Sequence, residues 1–199
     1  MATDPRTGER VYAAIKDEIL SGELRLRQRL DIDTLAARFG ASATPVRQTL
    51  AILSAERLVT AHPSRGYYVA FWSERELKAL YEWRSQLALL ALHAPPGDNG
   101  AGGGSDRFVA LMRRLDANAN PELRRASINA DERLASAFAV EGELFPDRDV
   151  ELSGMKQAFE KSDRRSLANR IRSYFRRRVA QAAAIRGKAS IRALPHNGD

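Results

Sequence analysis

The 199-residue chain contains no cysteine. This absence excludes disulfide bonds, thiolate catalysis and zinc sites with cysteine ligands. Long apolar runs are also missing, because the longest, Leu87 to Leu92, is far shorter than the ~20 residues of a membrane span. The beginning of the chain does not resemble a signal peptide. We therefore expect a cytoplasmic protein with no membrane partner.

Histidine is scarce, and His62, His93 and His196 lack the spacing of metal ligands. The glycine-rich stretch 95–105 is not followed by the Lys-Ser or Lys-Thr of a phosphate-binding loop, so we predict a flexible loop there. No ordered set of Ser, His and Asp indicates nucleophilic catalysis. We therefore expect no metal, no cofactor and no enzymatic activity.

Positive charge is abundant: 32 lysines and arginines against 25 acidic residues give a net charge of +7. Nucleic acid is a natural partner for such a chain, although many basic proteins bind nothing anionic. The length suits one or two domains. We predict a mainly α-helical protein with two domains, residues 1–72 and residues 73–199.

The stretch Asp33 to Arg47 has the pattern of a short helix, a turn and the beginning of a second helix. Gly40 separates the two helices. Ser42 is placed to cap the second helix, and Pro45 fits its first turn. The pattern leaves Thr44, Arg47 and Gln48 on the outer face, as a helix-turn-helix presents side chains to the major groove.

The flanking segments complete a winged helix-turn-helix. An amphipathic helix between Val11 and Leu20 precedes the motif, after a loose end at residues 1–9. Residues 24–30 form an extended link with three arginines outward, which is equally well explained as a solvated connector. Two β-prone segments, 58–61 and 67–70, flank a turn and predict a hairpin with Arg65 at its tip.

Seven short motifs in order carry a family resemblance: Tyr12-x-x-Ile15, Ile19-x-x-Gly22, Leu35-Ala36, Ser42-x-Thr44-Pro45-Val46-Arg47, Leu50-x-x-Leu53, Glu56-x-Leu58-Val59 and Arg65-Gly66-x-x-Val69. Residues Val11 to Val69 thus resemble the DNA-binding domain of GntR-family transcriptional regulators. The resemblance implies that Ser42 and Thr44 contact the DNA backbone and that Arg47 contacts a guanine or its phosphate.

The same resemblance implies that the wing residues Arg65 and Gly66 follow the adjacent groove. The full set of predicted DNA-contacting residues is Arg38, Ser42, Thr44, Pro45, Arg47, Gln48, Arg65 and Gly66. The family usually has an arginine where this chain has Ala43. The operator sequence therefore cannot be copied from relatives.

The second domain reads as an all-helical bundle. A capping-box pattern at Ser73 opens a first helix, whose apolar stripe includes Arg84. Further helices are predicted at 106–118, 121–140, 149–161 and 163–186, with Gly187 ending the last helix before a disordered tail. The last helix is densely basic on one side, which we interpret as a solvated surface rather than a second DNA contact. This side includes Arg170, Arg172, Arg176, Arg177 and Arg178.

This region resembles a shortened effector-binding (FCD) domain of FadR-like GntR regulators. Metal-binding members hold a divalent ion with one Asp and three His. Asp131 matches the Asp, whereas Ala135, Leu152 and Tyr174 stand at the histidine positions. One carboxylate cannot hold zinc, so no metal is expected.

Two interpretations of the charged residues on apolar faces stay open. Arg84, with Asp131 and Tyr174, could bind a small carboxylate effector. Alternatively, Arg84 and Asp131 form a structural ion pair, an interpretation that the missing histidines favour slightly. The resulting expectation is a regulator that binds a palindromic operator in double-stranded DNA as a homodimer, with a possible small organic acid effector. The alternative is an effector-blind architectural or antagonist protein.

Overall fold

The structure is a computed structural model that describes residues 5–94 and 107–193. It is mainly helical and divides into two compact units. The first unit comprises the described residues up to Phe71 together with residues 190–193, and the second comprises Trp72–Ala189. The predicted flexible loop at 95–105 lies outside the described residues.

The first unit combines three helices with a small sheet. The elements are α1 (Pro5–Ser21), β1 (Arg29–Leu30), α2 (Ile32–Phe39), α3 (Ala43–Ala55), β2 (Val59–His62) and β3 (Gly66–Val69). Its core contains Val11, Ile15, Val46, Leu50 and Leu53, all without solvent exposure. Because the apolar residues of α1 and α3 recur at helical spacing, they bury one stripe of each helix against the other.

Three local predictions for this unit need correction. Helix α1 already begins at Pro5, so residues 5–9 are not a loose end. Helix α2 begins at Ile32, because the Asp31 carboxylate accepts a hydrogen bond from the Thr34 amide at 2.9 Å and caps it. The link at 24–30 ends in a strand: β1 pairs antiparallel with β3, which makes a three-stranded sheet in the order β1-β3-β2.

The second unit is all-helical in its described part. It contains α4 (Glu74–Ala91), α5 (Arg107–Asp116), α6 (Pro121–Leu144), α7 (Arg148–Glu160), α8 (Arg164–Ala180) and α9 (Ala182–Arg192) up to Ala189. Helix α4 packs against α5, α6 and α8, while α7 covers α5 and α8. The Ser73 capping box is present, with both reciprocal hydrogen bonds.

The C-terminal helix prediction was wrong in two ways. The single helix expected at 163–186 breaks at Gln181 into α8 and α9. Gly187 does not end α9, which continues to Arg192 through residues expected to be disordered. Burial of Ala182, Ile185 and Ala189 explains this, since packing offsets the ~1 kcal/mol by which glycine disfavours a helix.

Gly142 is an exposed glycine inside α6, and a Cβ added there would contact nothing within 4 Å. We expect Gly142→Ala to raise the free energy of unfolding by ~1 kcal/mol, the helix-propensity difference between the two residues. Gly22→Ala is the matched contrast, because Gly22 has a φ of +85° and the same substitution there is strained. Urea unfolding of both variants checks the opposite signs.

Candidate functional site

Helix α3 presents a polar face to solvent. Thr44, Arg47 and Gln48 are exposed, whereas Val46 and Leu50 on the opposite face are fully buried. The arrangement follows from helical periodicity, since residues three and four apart share a face. The face can therefore enter a groove without disturbing the core beneath it.

The beginning of α3 differs from the predicted cap. Ser42 is the N-cap by position, but its side chain forms no capping hydrogen bond. Its hydroxyl is exposed and can donate to an external acceptor such as a phosphate. Pro45 is buried, so this predicted contact residue shapes the first turn rather than facing a ligand.

The hairpin of β2 and β3 is a short wing. Its register pairs Val59 with Val69 and His62 with Gly66. Arg65 lies in the connecting turn, where its amide donates to the His62 carbonyl at 3.1 Å. Gly66 has a φ of +88°, which glycine adopts without strain, and the Arg65 side chain is exposed.

Two further arginines of the first unit are held by neighbours. Arg38, a predicted DNA contact, forms an ion pair with Glu18 at 2.6 Å, so its charge is already partly neutralised. Arg27 has a φ of +64°, and its guanidinium lies 4.1 Å from the centre of the Phe71 ring. Sequence patterning did not indicate the contact between Arg27 and Phe71, because this contact depends on the left-handed backbone conformation of Arg27.

Arg84 in the second unit lies in a buried cluster with two carboxylates, here called the Arg84 cluster (Arg84, Asp116, Asp131). Its Nε donates to Asp131 Oδ1 at 2.7 Å, and its Nη2 donates to Asp131 Oδ2 at 3.1 Å and to Asp116 Oδ2 at 2.8 Å. Burial alone would lower the pKa of Arg84, but the two carboxylates raise it, so the guanidinium stays charged.

The structure thus contains the Arg84–Asp131 ion pair that was considered as the alternative to an effector site. Asp116 is an addition that sequence reasoning missed. It occurs four residues after Met112 and eight after Phe108, on the buried face of α5. That spacing in the sequence already indicated that Asp116 lies on the buried face of the helix.

Both aspartates of the Arg84 cluster accept hydrogen bonds from the same guanidinium. Burial raises the pKa of Asp116 to about 6, against the attraction of Arg84. The native state therefore binds more protons than the unfolded state between the two pKa values. The stabilising contribution of this group is fully present at low pH and is lost as pH rises through about 6.

The expected loss of stability with rising pH can be tested with a variant. Lowering the pH from 7 to 5 should stabilise the wild type relative to Asp116→Asn by ~1 kcal/mol, because the variant cannot take up the proton. Both tryptophans, Trp72 and Trp83, belong to the second unit, so urea unfolding followed by tryptophan fluorescence reports on it. A difference in stability that does not change with pH would contradict the raised pKa.

Tyr174 lies in a different set of contacts, here called the Glu141 cluster (Glu141, Tyr81, Tyr174, Arg148 and Arg178). The phenol of Tyr174 donates to Glu141 Oε2 at 2.6 Å, and that of Tyr81 donates to Oε1 at 2.9 Å. Burial raises the pKa of both phenols well above the usual value, which keeps them protonated as donors.

Arg178 of α8 contributes the buried cation of the Glu141 cluster. Its Nε donates to Glu141 at 3.2 Å and its Nη1 to Glu151 at 2.6 Å, and its guanidinium stacks 3.4 Å from the centre of the Tyr174 ring. Arg178 is fully buried, so the expectation that it belongs to the exposed basic side was wrong. It follows Tyr174 by four residues and Ile171 by seven, which places it on the buried stripe.

The predicted effector residues therefore do not form one group. Arg84 and Asp131 contact each other, whereas the hydrogen bond of Tyr174 goes to Glu141. Within the described residues, no group of three or more His, Cys, Asp or Glu side chains is arranged to hold a metal ion. None of the helices in 5–94 and 107–193 has both the length and the apolarity that a bilayer crossing needs.

Comparison with known sequences identifies the first unit. Residues 7–69 match the family described as "Bacterial regulatory proteins, gntR family". The chain is 34% identical over 76 residues to the HTH-type transcriptional repressor GlaR of Escherichia coli (strain K12), which is 38% of this chain and 34% of GlaR. It is 32% identical over 97 residues to an uncharacterized HTH-type transcriptional regulator in an unstable DNA locus of Streptomyces ambofaciens, which is 48% of this chain and 41% of that protein.

The chain thus spans less than half the length of the curated relatives it matches. Solved structures extend the likeness in fold. A GntR protein from Rhodococcus sp. RHA1 matches with a TM-score of 0.77 and 18% identity over 91% of this chain and 99% of that chain. E. coli McbR/YncC matches with a TM-score of 0.67 and 18% identity over 92% and 99%. Residues 7–69 of this chain therefore match the gntR family of bacterial regulatory proteins and fold as a winged helix-turn-helix, and the second unit that follows is helical in its described part.

Proposed function

We propose that this chain is a DNA-binding transcriptional regulator that docks α3 in the major groove of a palindromic operator. The observation that carries the proposal is the exposed face of Thr44, Arg47 and Gln48 on a helix whose other side is buried. Arg47 forms no ion pair among the described residues, so its guanidinium is free to donate to guanine or phosphate.

Selection of bound fragments from the source genome tests this proposal. We expect enrichment of one inverted repeat, whose half-sites lie one helical turn or a multiple of it apart. Binding to that repeat should weaken with salt at a log–log slope of ~0.9 per neutralised phosphate. Fragments no more similar to each other than random genomic DNA would refute sequence-specific recognition.

The wing supports a separate prediction. Arg65→Ala should weaken operator binding by roughly 10-fold at low salt and by less at high salt, since one phosphate contact is mainly electrostatic. Arg125→Ala is the matched control, because Arg125 is a surface arginine of the second unit paired with Glu122 at 3.0 Å. Fluorescence anisotropy across a salt series measures both. Equal effects of the two substitutions would exclude a specific role for the wing.

The palindrome in this proposal requires two copies of the chain. We infer that the second unit joins them through α4, where Trp83 and Leu90 are 49% and 55% exposed and seven residues apart on one face. Sedimentation of the wild type and of Trp83→Glu/Leu90→Glu tests this contact. A wild type that sediments as a monomer at micromolar concentration would contradict it.

Effector control is the less supported part of the proposal. A small organic acid held by Arg84 would have to reach a fully buried guanidinium whose Nε and Nη2 already bind carboxylates, and Tyr174 lies in the separate Glu141 cluster. Only Nη1 of Arg84 lacks a partner among the described residues. This geometry favours the alternative, an effector-blind DNA-binding or dimerising protein.

Thermal unfolding with a panel of small mono- and dicarboxylic acids separates the two functions. An effector at 100 times its Kd should stabilise the native state by about 2.7 kcal/mol. An effector-blind protein should show no shift with any acid in the panel. A shift that is retained in Arg84→Met would locate the acid elsewhere.

A further inference from the structure

Three arginines line the solvent-facing side of α8 along the helix axis. They are here called the basic stripe (Arg165, Arg172 and Arg176). At 3.6 residues per turn, the three positions lie within about 40° of one another around the helix axis. All three are exposed, and they are opposite the buried residues Ile171 and Tyr174. The 17 residues of α8 include no acidic side chain. The stripe is therefore a continuous line of positive charge about 16 Å long.

Neighbouring residues do not neutralise this charge. Arg177, on the flank of the same helix, pairs with Asp147 at 2.7 Å and with Glu151 at 3.1 Å. Among the described residues, the arginines of the basic stripe form no ion pair, and Arg172 donates only to the neutral Asn169 side chain at 3.2 Å. Glu141 of α6 and Glu151 of α7 pair with Arg178 instead.

Helix stability does not account for the placement. Arg165 lies in the first turn of α8, where the helix dipole disfavours a cation. Arg172 and Arg176 are four residues apart, where like charges repel. A partner with regularly spaced negative charge would relieve both, and arginine forks match phosphate groups well.

We infer that the basic stripe is not the solvated surface that the sequence pattern suggested but a second, sequence-independent DNA contact that binds backbone phosphates beside the operator. This inference rests on the proposed function, because the first unit must already hold the DNA. Once it does, the stripe meets the duplex at the high effective concentration of a tethered site. Individually weak phosphate contacts then contribute to affinity without adding sequence specificity.

A charge-matched pair of triple variants tests the inference in the full chain. Arg165→Gln/Arg172→Gln/Arg176→Gln removes the stripe. Lys78→Gln/Arg125→Gln/Lys156→Gln removes three surface cations that are paired with Glu74, Glu122 and Glu160. Each changes the net charge by −3, so a difference between them reports position rather than total charge. Far-ultraviolet circular dichroism establishes that each variant is folded.

The measurement is the salt dependence of binding to the selected operator with ~20 random base pairs on each side. If two or three phosphate contacts are lost, the log–log slope of the stripe variant should fall by about 1.8–2.7. Between 50 and 200 mM salt, wild-type affinity should then fall about 10- to 40-fold more than that of the stripe variant. The control variant should follow the wild type. A stripe variant with the wild-type slope would overturn the inference.

A positional probe makes the result independent of affinity. Because the chain has no cysteine, Asn169→Cys gives a unique attachment point for a DNA-cleaving iron chelate inside the basic stripe. We expect backbone cleavage beside the operator, whereas the same chelate on Ala51→Cys, on the exposed side of α3, should cut within it. Cleavage from position 51 without cleavage from position 169 would refute the second contact and keep the proposed function. Failure of the wild type to bind any selected fragment would refute the proposed function itself.

Discussion

Arg47→Ala is expected to abolish sequence-specific operator binding. A bidentate contact from arginine to guanine is worth about 1–3 kcal/mol of discrimination, and the proposed dimer on a palindrome would lose it twice. The chain has little to compensate with, because Ala43 stands where the family resemblance implies another arginine. Fluorescence anisotropy with the selected operator and a scrambled duplex measures the loss. The residual binding should be equal for the two duplexes.

Loss of folding and loss of charge can both be separated from loss of base recognition. Arg47 is exposed, so the alanine variant should keep the wild-type melting temperature. Arg47→Lys keeps the positive charge but cannot form a bidentate hydrogen bond. This variant should retain its attraction to phosphate while losing discrimination between operator and scrambled DNA. If Arg47→Ala discriminated between operator and scrambled DNA as the wild type does, α3 would not be the reading helix.

Arg84→Met is expected to destabilise the second unit by about 3–5 kcal/mol, because it removes the buried guanidinium that both Asp116 and Asp131 bind. Arg84 is fully buried, and Asp116 and Asp131 are 3% and 5% exposed, so water cannot take over the lost contacts. The loss is therefore far larger than for an exposed pair such as Lys78 and Glu74. Urea unfolding followed by tryptophan fluorescence measures it, since Trp72 and Trp83 both lie in the second unit.

A rescue variant separates the charge effect from the loss of volume. Arg84→Met/Asp116→Leu/Asp131→Leu removes the whole Arg84 cluster and should recover most of the stability, because apolar groups often replace a buried ion network at little loss. An Arg84→Met variant as stable as the wild type would show that the cluster is not structural. That result would reopen the effector interpretation of Arg84.

Local sequence patterns predicted the elements of the first unit well. Helical spacing in α3 and turn residues in the wing act over a few positions, so they are visible without tertiary context. The strand β1 was not visible in this way, since two residues become a strand only when β3 supplies their partners. The missing side-chain cap at Ser42 likewise depends on a hydroxyl rotamer that the sequence does not determine.

The buried charges of the second unit were harder to predict for a physical reason. Arg84 was found because it interrupts an apolar stripe, and Asp131 because it matches a family position. Asp116, Glu141 and Arg178 occupy equally apolar stripes, but each is acceptable only because residues from other helices satisfy it. Periodicity can indicate that a charge is buried, whereas its partner is a property of the packed bundle.

The central claim is that the exposed face of α3 reads the major groove, and methylation interference on the selected operator tests it most directly. Dimethyl sulphate modifies guanine N7 in the major groove and adenine N3 in the minor groove. We predict that methylation of one or two guanines in each half-site prevents binding by the wild-type chain, because the proposed contact of Arg47 is to that edge. Interference confined to adenines, with guanine methylation tolerated throughout the operator, would contradict the account.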